Sequence, residues 1–108
     1  MQTGMIDSGQ LTSKNVNVAS TGAAIQHDGT AFNAATSAAS VSLKWGVLIK
    51  ALAANSGFIY VGNTGGDVTS GDGIQLDAGE QIFIACSDLG DLLFDTDSAG
   101  DDARLLYG

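Results

Sequence analysis

In the segment SVSLKWGVLIKALA, residues 40–53, every second residue is apolar. Val41, Leu43, Trp45, Val47, Ile49 and Ala51 share one face of an extended chain, and Ser42, Lys44, Gly46, Leu48, Lys50 and Leu52 share the other. Alternation of this kind marks a half-buried strand, because successive side chains of a strand point to opposite faces. A helix fits poorly, since it would not set Lys44 and Lys50 opposite a clean apolar stripe. Length adds a constraint. Drawn straight, the run would span about 43 Å, whereas a domain of this size has a diameter of roughly 34 Å. A bend or bulge is therefore expected, at Gly46. Trp45 falls on the clean face and is expected in the core.

The rest of the chain repeats the period of two in shorter pieces. NVNVAS (residues 15–20) alternates and TGAAIQ follows it, while AFNAATSAAS (31–40) reads as a loop or weak strand. Asn55-Ser56-Gly57 is turn chemistry with Gly57 suited to positive φ, so residues 41–52 and 58–61 are expected to form a hairpin. GIQL, QIFIAC, DLLFD and ARLLY follow as further strands. Asp77-Ala78-Gly79-Glu80 reads as a turn between two of them, and residues 97–102 as the loop joining the last two. Some seven or eight short strands with regular turn signals, no proline and no strand–helix alternation point to one all-β domain. The expected fold is an antiparallel β-sandwich or jelly-roll-like small barrel over residues 15–108, preceded by a polar N-terminal arm over residues 1–14.

Charge narrows the partners. A net charge of −8, with only Lys14, Lys44, Lys50 and Arg104 as cations, argues against nucleic acid. No apolar run is long enough for a membrane helix. The N-terminal MQTGMIDSGQLTSKN has no basic stretch followed by an apolar one, so no signal peptide is expected and the protein is expected to be made in the cytoplasm.

The stretch FIYVGNTGGDVTSGDGIQLDAGE, residues 58–80, holds six glycines and four acids and invites a ligand-loop reading. A phosphate cradle needs a helix and a lysine after the glycines, and here a strand and three aspartates stand instead. DTDSAGDD, residues 95–102, begins like a calcium loop, but Leu106 stands where the bidentate Glu is required. The glycines and acids are better explained as turn formers. His27 and Cys86 are the chain's only His and Cys, so no transition-metal set is expected. His27, in QHDG, is expected in an exposed turn, and Cys86, in the apolar run QIFIAC, is expected to be a buried inert thiol. Neither a nucleophile elbow nor a distinguishable carboxylate pair is present, so no catalytic residue, no cofactor and no enzymatic activity are expected. One Trp, two Tyr and four Phe leave little material for a sugar-stacking platform.

Residues 49–107 carry a further signal. IKA (49–51), NSGFIYVG (55–62), VTSGDGIQLDAGE (68–80), FD (94–95) and LY (106–107) resemble a set of small β-structured virion proteins of tailed bacteriophages. The shared pattern is IKA-x-x-x-N-[ST]-G-x-[IV]-YVG, then VTS-x-x-G-I-x-L-x-AGE, a strand, an aromatic strand with Asp, and a closing LY. Where those proteins have an aromatic-Val-Asp segment this chain has LLFDTDS, a departure that bears on the register of that strand. The resemblance implies a head decoration (cement) protein of β-sandwich or jelly-roll type on the capsid surface of the virion, with the major capsid protein as partner and a homotrimer as its working form. The competing expectation is a phage tail, fibre or host-recognition β domain, with sugar as its candidate ligand. The expected interface residues are Met1, Met5, Ile6 and Leu11 in the arm, and Leu48 and Leu52 on the second strand face. That face either meets a sister subunit or is covered within the sandwich.

Overall fold

Among the described residues, nine short strands form two open antiparallel sheets that face each other across an apolar layer. The computed structural model describes residues 11–19, 21, 24–27, 32–34, 41–63 and 73–108. Among these, the strands are β1 (Thr12–Val18), β2 (Ile25–His27), β3 (Phe32–Ala34), β4 (Val47–Ala51), β5 (Ile59–Asn63), β6 (Ile74–Leu76), β7 (Gln81–Ile84), β8 (Leu92–Thr96) and β9 (Asp101–Tyr107). The four-stranded sheet runs β1-β9-β4-β7 and the five-stranded sheet β3-β2-β8-β5-β6. Neither closes on itself, so of the two expected forms the sandwich is the observed one and the barrel is not.

Alternation explains the core. On β4, Val47, Ile49 and Ala51 point inward and are fully buried, as do Val16 and Val18 on β1 and Ala103 and Leu105 on β9. From the other sheet, Ile59, Val61, Leu76, Leu92 and Phe94 meet them. Burying one such side chain contributes about 1.5–3 kcal/mol, so this single layer holds the two sheets together. A 3-10 turn at Leu89–Asp91 adds the fully buried Leu89. It is capped by Asp88, whose Oδ1 accepts from Gly90 N at 2.9 Å and from Val41 N at 2.9 Å.

Several expectations are corrected. The segment 41–52 does not pair with 58–61. β4 pairs with β7 and β9, while β5 pairs with β6 and β8 in the opposite sheet. Only the β2–β3 and β5–β6 connections stay within a sheet, and the other six of eight cross between sheets. The Asp77–Glu80 turn forms, with Glu80 N donating to Asp77 O at 2.9 Å, yet it too joins strands of different sheets. Gly57 does not take positive φ. A Cβ there would lie 2.1 Å from Asp97 Oδ1, so close approach rather than turn handedness requires glycine. β1 begins at Thr12, so Thr12, Ser13 and Lys14 of the expected arm already pair with Tyr107, Leu106 and Leu105.

The bend expected at Gly46 is present. Gly46 has φ +129°, and a Cβ there would stand 2.2 Å from Ile84 O and 3.0 Å from Phe83 Cζ. The bend breaks the alternation, and Trp45 is 45% exposed instead of lying in the core.

Candidate interaction surface

The outward face of the four-stranded sheet is built from the residues out of phase with the core. β7 contributes Gln81 and Phe83, β4 Leu48 and Lys50, β9 Asp102, Arg104 and Leu106, and β1 Ser13, Asn15 and Asn17. Strand register arranges them in rows. Phe83, Leu48, Leu106 and Ser13 lie directly opposite one another across β7, β4, β9 and β1. The next row is Gln81, Lys50, Arg104 and Asn15. With strands about 4.8 Å apart, the first row is a continuous apolar strip of three side chains. Phe83 is 50% exposed, while Leu48 and Leu106 are half-buried.

The second row is cationic and held in place. Arg104 Nε donates to Asn15 Oδ1 at 2.8 Å. Asn15 Nδ2 and Asn17 Nδ2 donate to Asp102 Oδ1 at 3.3 and 2.9 Å. Asp102 is thus fixed by two amides beside Arg104.

Of the expected interface residues, Leu48 sits at the centre of the apolar row. Leu52, half-buried, follows the end of β4 and donates its N–H to Asp102 O at 3.2 Å. Leu11 is 39% exposed at the start of β1, next to the Tyr107 end of the sheet. Met1, Met5 and Ile6 lie outside the described residues. Phe83, Leu106, Lys50 and Arg104 were missed. The available signal was the outward phase of QIFI and ARLLY, which alternation alone could assign to a face but not to a neighbour.

The acids serve as clamps on backbone N–H groups. Asp101 accepts from Ser56 and Gly57, and Asp97 Oδ1 accepts from Phe58 N at 2.8 Å. No group of three or more metal-capable side chains occurs among the described residues.

His27 is not an exposed turn residue. It ends β2, is 2% exposed, stacks edge-on against Phe32 with centroids 4.9 Å apart, and has Lys14 Nζ 3.2 Å from its Nε2. Pairing of β2 with both β3 and β8 draws it inside. Cys86 is half-buried rather than buried. Its thiol pKa is raised, chiefly by burial and also by nearby Asp91 and Asp88, against a lowering backbone hydrogen bond at Asp88. It lines a recess of about 400 Å³ with Val61, Ile74, Ile84, Asp91 and Leu92.

Compared with known proteins, the chain matches no family model, no curated protein and no solved structure.

Proposed function

We propose that this chain is a structural virion protein, a head decoration (cement) protein that binds the outer surface of a tailed-phage head and stabilises it. Its partner is the major capsid protein, its working form a homotrimer, and its place the capsid surface after synthesis in the host cytoplasm. The observation that carries the reading is the apolar row Phe83–Leu48–Leu106 on an outer sheet face. An exposed apolar strip with a polar rim is what a protein partner covers.

The resemblance to phage virion proteins supports the same reading. Among the described residues, its strings fall on β4, on β5 and its approach, on β6 with its turn, and on β8 and β9. They are residues that build the sandwich, and the strip lies on the outside of the sheet they help to form. A cement protein acts through many modest contacts repeated over a lattice, so a small strip per copy suffices.

The test is reconstitution. Purified protein added to undecorated heads is expected to bind to a fixed stoichiometry and to raise their resistance to heat and to low salt. Heads that stay bare at saturating protein would refute the proposal.

The exposed aromatics Trp45, next to Gly46 in the chain, and Phe83, whose ring edge reaches toward Gly46, favour a second reading as a tail, fibre or host-recognition domain that stacks sugars. Saturable glycan or host-cell binding that Trp45→Ala abolishes, with no binding to heads, would establish it over the first.

A further inference from the structure

We propose that the outer face of the four-stranded sheet docks onto a carboxylate-bearing, partly apolar protein surface, with Lys50 and Arg104 as a paired anion receptor beside the Phe83–Leu48–Leu106 row. This rests on the decoration reading, under which that surface belongs to the capsid shell.

The chain holds 12 acids and 4 basic residues. Two of those four stand directly opposite each other, since Lys50 on β4 is the register partner of Arg104 on β9. Like charges directly opposite across strands destabilise a sheet. The in-register neighbours on either side, Gln81 and Asn15, are uncharged; Asn15 Oδ1 accepts from Arg104 Nε at 2.8 Å but brings no countercharge. Among the described residues no ion pair joins Lys50 or Arg104 to a carboxylate. Of the nearby acids, Asp102 Oδ1 accepts from Asn15 and Asn17 and Glu80 Oε1 from Asp77 N; both keep their charge but make no direct ion pair with Lys50 or Arg104. Both cations are exposed. Lys50 Nζ and the terminal amino groups of Arg104 therefore keep free donors side by side, which an external carboxylate would bridge.

The neighbouring row decides the class of partner. Nucleic-acid surfaces are read by dense positive charge, and here the cationic pair lies beside three apolar side chains on a molecule of net charge −8. Apolar groups rimmed by a few charges match a protein interface. A second copy packed face to face with a twofold axis through this pair would set Lys50 and Arg104 against the same cations, which disfavours that mode of self-association.

Binding to undecorated heads, measured at low and high salt, tests the inference. The comparison includes wild type, Lys50→Glu/Arg104→Glu, Lys50→Gln/Arg104→Gln and Phe83→Ser, each first checked for a wild-type circular dichroism spectrum and unfolding curve. Wild-type affinity is expected to fall as salt rises. The charge reversal should lower it at least ~30-fold at low salt and flatten the salt dependence. The glutamine pair should fall between, and Phe83→Ser should lose about tenfold with the salt dependence kept. If wild type binds heads and the charge variants bind equally well, or if wild-type binding strengthens with salt, the inference fails while the decoration reading stands. If wild type binds no heads, both fall. Binding instead to duplex DNA or to phosphatidylserine vesicles through the same pair would also overturn it.

Discussion

Asp101 and Gly57 are joined by a 2.8 Å hydrogen bond in which the Gly57 N–H donates to Oδ2, while Oδ1 accepts from Ser56 N at 3.1 Å. One buried carboxylate at the start of β9 thereby fixes the crossover that carries the chain from β4 in one sheet to β5 in the other. Asn55 doubles the link, donating Nδ2 to Asp102 O at 2.8 Å and accepting from Asp102 N at 2.9 Å.

Removing that carboxylate leaves two N–H groups without their acceptor. Asp101→Ala is expected to lower stability by about 2–4 kcal/mol, and Asp101→Asn by less because its amide oxygen still accepts. Urea denaturation reads both. An alanine variant within experimental error of wild type would show that the crossover is held by other contacts.

Gly46 and Gly79 both have positive φ, at +129° and +86°, but a Cβ at Gly46 collides with Ile84 O and one at Gly79 meets nothing within 4 Å. Gly79→Ala should cost only the backbone strain, about 1–2 kcal/mol. Gly46→Ala adds the collision and should cost about 3 kcal/mol or more. Equal midpoints in thermal unfolding would contradict the geometry at Gly46.

Trp45 is half exposed while Phe94 is fully buried between the sheets. Phe94→Ala should lose about 3–5 kcal/mol, and Trp45→Ala less than about 1 kcal/mol. A loss at Trp45 as large as that at Phe94 would return the indole to the core. Its fluorescence maximum, expected near that of a solvated indole, gives an independent reading.

Stability should decline on the alkaline side. Burial raises the Tyr107 phenol above its ordinary 10.0. Burial, then Asp97 and Asp95, raise the Tyr60 phenol, whose hydroxyl lies 3.3 Å from Asp97 Oδ2. The unfolded chain then ionises first and binds fewer protons in that window, so stability falls as pH rises. The contribution is fully present below the ordinary phenol value and is lost as pH climbs through the raised folded values. The Cys86 thiol shifts the same way from 9.0, so the measurement belongs in a Cys86→Ser background. Urea midpoints should drop above the phenol value, and Tyr60→Phe and Tyr107→Phe should each shallow the drop. A flat profile would contradict both shifts.

Much of the fold is legible from local pattern. NVNV, VLIKA, GIQL and ARLLY alternate, and each lies on a strand, because an amphipathic strand needs only its own residues to define two faces. The Asp77–Glu80 turn is legible for the same reason. Asp77 Oδ1 accepts from Ala78 N, Glu80 Oε1 accepts from Asp77 N, and Gly79 supplies positive φ, all within four residues. Of the five side chains that define the candidate surface, one is equally readable: Leu48 stands out as an apolar residue on the polar side of its strand, whereas Phe83, Leu106, Lys50 and Arg104 do not.

The sequence alone specifies the alternating strands, the Asp77–Glu80 turn, the bend at Gly46 and the inward residues of β4, since each depends on spacing of two or on a single backbone conformation. Which sheet a strand joins depends on partners far along the chain. β1 finds β9 with Asn15 opposite Arg104, and β4 leaves its expected hairpin partner for β7 and β9. Period two marks a face without naming the neighbour, because the hydrophobic term that drives burial has no direction. Assembly of the sheets therefore set what no local pattern could: His27 inside, Trp45 outside, and Lys50 side by side with Arg104.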